Sequence, residues 1–126
     1  MRRLTLAVII ATKGRRDVAA QLIRHLNAQT RRPDRVILSV ADPDDAPKAA
    51  GVEVVLGPAG LAAQRNTGLR AIGAADVAVF YDDDFVPAPG ALEGIERLFA
   101  DRPGVAGATG HVAADGATGN AISDDA

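Results

Sequence analysis

The chain has 126 residues and a formal net charge of -2; 48% of its residues are hydrophobic, 24% charged and 3% aromatic. This length suits one domain with a packed core, and the composition is that of a globular protein. The balanced charge excludes a broad cationic surface, so we expect no nucleic-acid partner. The sequence has no cysteine, which excludes disulfides and thiolate metal sites and is compatible with a reducing compartment. We expect a cytoplasmic protein.

The first apolar segment, residues 4–11, predicts a strand rather than a signal peptide. It is rich in β-branched residues, as in a strand that is buried on both faces of a parallel sheet. Basic residues follow it at once, where a secretory signal would have small residues for cleavage. No apolar stretch of the sequence approaches the roughly 20 residues that span a bilayer, so we expect no transmembrane segment.

The following segments alternate between helical and strand patterns. Val18, Leu22 and Leu26 recur at helical spacing after the break at residues 12–14, and Asp17 suits the N-terminal end of that helix. The later segments predict, in order, strands at 36–40 and 52–56, a helix at 61–72, a strand at 76–81, a helix from Pro87 to Phe99, and a weak strand at 105–112.

This alternation predicts an α/β fold with a mainly parallel sheet flanked by helices. In the helix at 61–72, Leu61, Leu69 and Ile72 are predicted to face the core. The domain is expected to span residues 1–112, while residues 113–126 form a tail rich in Gly, Ala and Asp that is expected to be mobile. In open parallel sheets, ligands bind beyond the carboxyl ends of the strands.

Three consecutive aspartates, Asp82, Asp83 and Asp84, follow the strand at 76–81. Alternation along an extended strand would direct Asp82 and Asp84 to one side, and would leave Asp83 behind them or in solvent. Two converging carboxylates repel each other unless a cation lies between them. Oxygen ligands suit Mg²⁺ or Mn²⁺, whose open positions are commonly filled by phosphates. The alternative is a solvated loop in which one carboxylate caps a turn.

Other polar residues lie at the same predicted sheet edge. Thr12 offers a hydroxyl and backbone groups, and Arg65 could reach an anionic ligand or simply be solvated. Asp42 could accept hydrogen bonds from a base or ribose, but an Asp before Pro more often starts a turn. The loop after the first strand has neither G-x-G-x-x-G nor a phosphate-loop motif. It also lacks the acidic residues of a receiver-like domain or a D-x-D phosphate-transfer enzyme, and the Gly-rich loop of most nucleotidyltransferases.

Two basic clusters and two histidines are the remaining candidates for functional residues. A first cluster holds Lys13, Arg15 and Arg16, and a second lies at positions 31, 32 and 35. A solvated face is an alternative for both clusters and is the one we expect for the second. The histidines at positions 25 and 111 have no partner at metal-binding spacing, so we expect them to be structural or exposed.

Five short segments stand in order along the chain. They are VIIATKGR at 8–15, QTRRP at 29–33, Asp42 after the second strand, GLAAQRNTG at 60–68, and FYDDDFVP at 80–87. They resemble the V-I-I-P-T-x-N-R, Q-T-x-x-P, acidic, G-x-x-x-A-R-N-x-G and F-L-D-x-D segments of family-two glycosyltransferases with the GT-A fold. Ala11 and Gly14 depart from the first of these. The resemblance covers about residues 4–112.

The resemblance implies the Rossmann-like, donor-binding half of the GT-A fold. It also implies metal-assisted, inverting transfer of a sugar from a nucleoside-diphosphate donor, of the uridine diphosphate type, to an acceptor hydroxyl. The site residues that it implies are Ala11, Thr12 and Asp42 at the base, Arg65 against the base, Asp82 near the ribose, and Asp84 with Asp82 on Mn²⁺ or Mg²⁺. Asp83 is expected among the residues that bind the nucleotide sugar.

The catalytic base is not found in the sequence. In the family it usually lies well downstream, and no family motif surrounds Asp115, Asp124 or Asp125. The chain therefore resembles the donor-binding half of a larger enzyme, and the alternative is a non-catalytic nucleotide- or metal-binding module. A sheet edge or apolar patch left exposed would favour self-association, so a homo-oligomer is among the expected partners.

Overall fold

The computed structural model describes residues 3–104 and 107. The predicted strand at 105–112 lies outside the described residues apart from Gly107, as does the tail, so the domain boundary at residue 112 stays a prediction. The elements are β1 Leu6–Ala11, α1 Arg16–Asn27, β2 Arg35–Val40, a 3-10 turn Pro43–Asp45, β3 Val52–Leu56, α2 Leu61–Ala71, β4 Val77–Asp82 and α3 Ala91–Asp101. The predicted α/β class is confirmed, and the predicted ends differ from the observed ones by a few residues.

The sheet has four strands, all parallel, in the order β3-β2-β1-β4. From β1 the chain steps outward through β2 to β3, and then returns to the other side of β1 to form β4. The strand order therefore reverses between β1 and β4. At the carboxyl end of this pair Ala11 stands opposite Asp82. Open α/β sheets bind their ligands in the crevice at such a switch point.

One face of the sheet carries the main core. Leu22 and Leu26 of α1 and Leu92 of α3 are almost wholly buried against it. Because side chains alternate along a strand, this face takes every second residue of β1, beginning with Leu6. Burying each large aliphatic side chain contributes about 1.5 to 3 kcal/mol, so this layer supplies most of the hydrophobic stabilisation.

The opposite face of the sheet packs against α2, and here the predicted orientation is wrong. Leu61 and Leu69 are 54% and 43% exposed, whereas Gln64 and Gly68 are buried. A Cβ atom added to Gly68 would overlap Cγ2 of Ile9 in β1. The helix backbone therefore lies directly on the sheet, and a glycine permits this approach.

The amino ends of the strands are joined by Arg31, a residue expected on a solvated face. Its side chain is only 9% exposed and pairs with Glu96 at 2.9 Å and with Asp34 at 3.1 Å. It also donates to the carbonyl of Leu4, and Asp34 in turn accepts from the N–H of Leu6 at 2.8 Å. The expectation of a solvated face is wrong here, because the guanidinium holds α3 and the start of β1 together.

Arg35 makes a second junction at the same sheet edge. Its guanidinium pairs with Glu53 at 2.7 Å and donates to the carbonyls of Ala71 and Ile72 at 2.9 and 2.7 Å. These carbonyls end α2, where a cation also suits the helix dipole. Of the second basic cluster, Arg32 is exposed as expected. Among residues 3–104 and 107, no helix has the length and apolar character to cross a membrane.

Candidate functional site

A cleft of about 440 Å³ opens at the switch point between β1 and β4. Its walls come from the end of β1 and the loop after it, the first turn of α2, and the three aspartates at the end of β4. The lining residues are 11–13, Arg15, Gly60, Leu61, Gln64 and 82–84. Ala11 and Thr12, predicted from the sequence, therefore lie in the same cleft as the aspartates. Lys13, Arg15, Gly60, Leu61 and Gln64 were not predicted as site residues.

Asp83 is the buried member of the aspartate run, with 6% of its surface exposed. Its Oδ2 accepts from the hydroxyl of Thr12 at 2.8 Å and from Nε of Arg15 at 3.1 Å, and its Oδ1 pairs with Nη2 of Arg15. The solvent-facing placement considered for Asp83 is wrong. The strand ends at Asp82 and a turn follows, with the N–H of Phe85 donating to the carbonyl of Asp82 at 3.0 Å. Strand alternation consequently does not extend beyond Asp82.

Asp82 and Asp84 are the exposed members of the run, with side chains 64% and 62% exposed. Asp82 pairs with Arg65 at 3.1 Å, and the guanidinium of Arg65 lies 6.0 Å from the ring centre of Phe80. Asp84 lies 3.7 Å from Nη2 of Arg15. Each exposed carboxylate thus faces an arginine, through exposed pairs that contribute little to stability.

Arg15 connects the buried and exposed carboxylates. Its side chain is 49% exposed and lines the cleft, although its guanidinium is attached to Asp83. The hydrogen bonds and the charge of Asp83, together with the charge of Asp84, raise the pKa of Arg15 above its ordinary value. The sequence signal that could have identified Arg15 is its position on the loop after β1, at the same sheet edge as the aspartates.

Gln64 fixes the floor of the cleft from the first turn of α2. Its buried amide nitrogen donates to the carbonyls of Thr12 and Ser39, both at 2.9 Å, and so joins the ends of β1 and β2. Its Oε1 accepts from the N–H of Gly60 at 3.2 Å. Gly60 begins α2 with φ at 118°, a conformation that favours glycine. No sequence pattern pointed to Gln64, because a glutamine in a helix is ordinarily exposed.

Asp42 lies two residues beyond the end of β2 and outside the lining of this cleft. Its side chain accepts from the N–H of Asp44 at 2.9 Å and caps the 3-10 turn, as the turn interpretation predicts. The next residues, Pro43 and Asp44, line a second cavity of about 380 Å³ together with Arg16 and Lys48. Binding of a base by Asp42 stays a prediction.

The acidic loop, formed by Asp82, Asp83 and Asp84, is the part of the cleft with oxygen ligands for a divalent cation. In the described part of the chain, no group of three or more His, Asp or Glu side chains is placed so that it could hold a metal ion by itself. Asp82 and Asp84 nevertheless present exposed carboxylates to the same cleft. Oxygen donors suit Mg²⁺ and Mn²⁺, and Mg²⁺ commonly takes one or two carboxylates with phosphate oxygens. The residues fit a hard cation that is held jointly with a phosphate-bearing ligand.

The sheet and the cleft define an α/β protein of the Rossmann-like kind, with its candidate site at the switch point. The family model described as glycosyl transferase family 2 matches residues 7–123, and the chain therefore belongs to this family. The resemblance inferred from the sequence is thereby confirmed, and the fold is consistent with GT-A. Family membership supports a general role in glycosyl transfer. No curated protein matches the chain.

Proposed function

We propose that the cleft binds the nucleoside diphosphate of a sugar donor, of the uridine diphosphate type, and that the sugar passes to an acceptor hydroxyl. The observation that carries this proposal is the meeting of the acidic loop with the end of β1: Asp82 and Asp84 face the cleft beside Ala11 and Thr12. Membership of glycosyl transferase family 2 supplies the reaction class. The position of the cleft is where open α/β sheets bind nucleotides.

The proposed roles are those that the family resemblance implies: Ala11, Thr12 and the three aspartates line the cleft, whereas Asp42 and Arg65 lie outside its lining. Ala11, Thr12 and Asp42 would line the pocket for the base, and Arg65 would contact the base or help to close the pocket. Asp82 and Asp83 stand near the ribose, Asp83 acting through its bonds to Thr12 and Arg15. Mn²⁺ or Mg²⁺ would be held by Asp84 with Asp82. When bound, the cation would neutralise the negative charge that develops on the departing diphosphate.

The transfer that we propose is a single displacement with inversion. The acceptor oxygen forms a bond to the anomeric carbon while the bond from that carbon to the diphosphate oxygen breaks. The electron pair leaves with the nucleoside diphosphate, and a carboxylate base takes the hydroxyl proton. The base is not assigned. The sequence candidates Asp115, Asp124 and Asp125 lie outside the described residues.

Titration calorimetry with uridine diphosphate and Mn²⁺ tests the binding step. We expect the wild-type chain to bind the pair, and Asp84→Ala to lose at least about tenfold in affinity, which corresponds to about 1.4 kcal/mol. Asp101→Ala is the matched control, because Asp101 is exposed at the end of α3, outside the cleft lining. Equal binding by wild type and Asp84→Ala would contradict the assignment of the metal ligand.

Incubation with a labelled nucleotide-sugar donor and a panel of acceptors tests the transfer step. Glycosylated product that depends on Mn²⁺ supports the enzyme. Binding of uridine diphosphate without any transfer would instead favour the non-catalytic nucleotide- or metal-binding module. Absence of metal-dependent nucleotide binding would contradict both functions, since both require the same cleft.

Self-association stays a prediction of the proposed function. In the described sheet, β3 and β4 are the outer strands, and Val54 and Leu56 of β3 are 46% and 57% exposed. Unpaired strand edges and exposed apolar side chains favour association. Sedimentation equilibrium across a concentration series measures it, and Val54→Lys would weaken any dimer that uses this edge.

A further inference from the structure

We propose that Arg15 makes the binding of the divalent cation and of the nucleoside diphosphate interdependent: it opposes the cation alone and favours the diphosphate. This inference rests on the proposed function and concerns Arg15, the last position of the first family-like segment, to which the sequence analysis assigned no role. The structure gives three grounds for it. They are the attachment of the guanidinium to Asp83, its approach to Asp84, and its exposure to the cleft.

The attachment to Asp83 keeps the positive charge of Arg15 in place. Nε and Nη2 hold the two carboxylate oxygens as a fork, with the Nε bond at 3.1 Å. Asp83 is itself fixed, because its side chain is only 7% exposed and its Oδ2 accepts from the Thr12 hydroxyl at 2.8 Å. A two-point pair on a buried carboxylate costs more to break than an exposed single contact. The guanidinium therefore stays in the cleft when a ligand arrives.

Because Arg15 lies close to Asp84, its positive charge opposes the binding of a cation there. Nη2 of Arg15 lies 3.7 Å from Oδ2 of Asp84, the carboxylate proposed to hold the metal. A divalent cation on that carboxylate would share it with a guanidinium that cannot withdraw far. Like charges at such short range repel, even with partial screening by solvent. Asp82 is similarly paired with Arg65 at 3.1 Å, so each exposed carboxylate already has an arginine beside it before a cation binds.

The exposed part of Arg15 favours a diphosphate. The side chain is 49% exposed and lines the cleft. A guanidinium has five N–H donors, of which the fork to Asp83 uses two, and its planar shape suits phosphate oxygens. A diphosphate brings enough negative charge to balance Arg15 and the cation together. Each ligand should then strengthen the other, and linkage requires the factor to be the same in both directions.

Three binding measurements on each chain test the coupling, with Mn²⁺ alone, uridine diphosphate alone, and Mn²⁺ in the presence of saturating uridine diphosphate. Mn²⁺ is followed by electron paramagnetic resonance and the nucleotide by calorimetry. For the wild type we expect Mn²⁺ affinity to rise at least about tenfold when the nucleotide is present, within the usual range of site-to-site coupling. For Arg15→Gln we expect tighter Mn²⁺ binding alone, weaker nucleotide binding alone, and a smaller coupling factor.

The opposite direction of the first two changes separates this role from a merely structural one. A damaged cleft would weaken the binding of both ligands. Removal of a charge that opposes the cation and favours the diphosphate would instead strengthen the binding of the first and weaken that of the second. Arg16→Gln is the matched control, since it removes the same charge from the neighbouring residue, which does not line the cleft. Arg15→Lys keeps the charge and a partner for Asp83, and should retain most of the coupling. Thermal unfolding establishes that each variant is folded.

Two results would overturn the inference while the proposed function stands. One is a wild type whose Mn²⁺ and nucleotide affinities are independent of each other. The other is an Arg15→Gln chain, folded by its thermal transition, that binds both ligands more weakly or both unchanged. A wild type that binds neither ligand nor their combination would overturn the inference and the proposed function together.

Discussion

The two ends of the sheet both gather charged side chains, but they use them differently. At the amino ends of the strands, Arg31 and Arg35 pair with carboxylates and also donate to backbone carbonyls. At the carboxyl ends, Asp82 and Asp84 are mostly exposed, and among the described residues their ion pairs are with arginine side chains. An ion pair whose arginine also donates to backbone carbonyls helps to hold the fold together. A pair between exposed side chains can exchange one partner for a ligand.

Substitutions at the two ends should therefore separate stability from binding. At the amino ends they should lower the free energy of unfolding and leave nucleotide binding by the folded chain intact. At the carboxyl ends the effect should depend on burial. Substitutions of the buried residues Gln64 and Asp83 should lower the free energy of unfolding, whereas substitutions of the exposed Asp82 and Asp84 should change it little.

The largest effect is expected at Arg31. Arg31→Met leaves the carboxylates of Asp34 and Glu96 and the carbonyl of Leu4 without their shared donor. Breaking a buried pair costs several kcal/mol, and partial exposure of the partners reduces this to about 2 to 3 kcal/mol. Urea unfolding measures the loss. Arg32→Met, at an exposed neighbour, is the control and should change stability by less than about 0.5 kcal/mol. Comparable losses in the two variants would contradict the structural role of Arg31.

Gln64→Leu is expected to affect both stability and binding. It removes the amide donors to the carbonyls of Thr12 and Ser39 at the floor of the cleft, and each is left buried without that bond. We expect a loss of about 2 kcal/mol in unfolding free energy. Weaker binding of uridine diphosphate should accompany it, because Thr12 is no longer held. Gln21→Leu changes an exposed glutamine of α1 in the same way and should alter neither quantity.

Asp83 and Asp84 should respond differently to substitution by asparagine. Asp83→Asn weakens the fork to Arg15 and should lower the unfolding free energy by about 1 to 2 kcal/mol. Asp84→Asn should change it by less than about 0.5 kcal/mol, since its pair is exposed. For the affinity for Mn²⁺ in the presence of uridine diphosphate the order should reverse, so that Asp84→Asn loses more affinity than Asp83→Asn. If both variants lose stability equally, the division between buried and exposed aspartates is wrong.

The smallest expected effect is the pH dependence of the amino-end cluster. Burial alone would raise the pKa of Asp34, but hydrogen bonds from Leu6, Arg3 and Arg31 outweigh it and bring the pKa below its usual value. The Arg31 hydrogen bond likewise lowers the pKa of Glu96. The folded chain therefore binds protons less readily than the unfolded chain. The stabilisation is present above about pH 4 to 5 and is lost as the pH falls through the lowered pKa values.

Thermal unfolding at pH 7, 5, 4 and 3 measures this dependence. The transition temperature should fall below about pH 4, and Glu96→Gln should make the fall shallower because one of the linked carboxylates is absent. Glu93→Gln, at an exposed position of the same helix, is the matched control. An identical slope in Glu96→Gln and the wild type would mean that other carboxylates govern the acid response.

Most of the fold could be predicted from the sequence because its core elements follow simple periodicities. Val18, Leu22 and Leu26 carry the helical spacing of α1, and the unbroken apolar run of β1 suits a buried parallel strand. The orientation of α2 could not be predicted in this way. Its buried face holds Gln64 and Gly68, and a rule that places apolar residues inside selects Leu61 and Leu69 instead.

The site was only partly predictable for a related reason. The aspartates and the loop after β1 lie at the edge that a parallel sheet offers to ligands, so their meeting follows from topology. The burial of Asp83 depends on a turn that begins after Asp82, where strand alternation ceases to apply. The bonds of Arg15 and Gln64 join segments distant in sequence, and only the assembled fold brings them together.

The contact between Gly68 and Ile9 has a consequence for how this chain can diverge in sequence. Since a Cβ atom at Gly68 would overlap Cγ2 of Ile9, the two positions share one fixed volume. A larger residue at one position requires a smaller residue at the other. Gly68→Ala should be harmful beside Ile9 and better tolerated beside alanine at that position, a non-additive pair in a double-mutant cycle. Substitutions that add volume where α2 rests on β1 at this contact are therefore expected to be acquired in pairs.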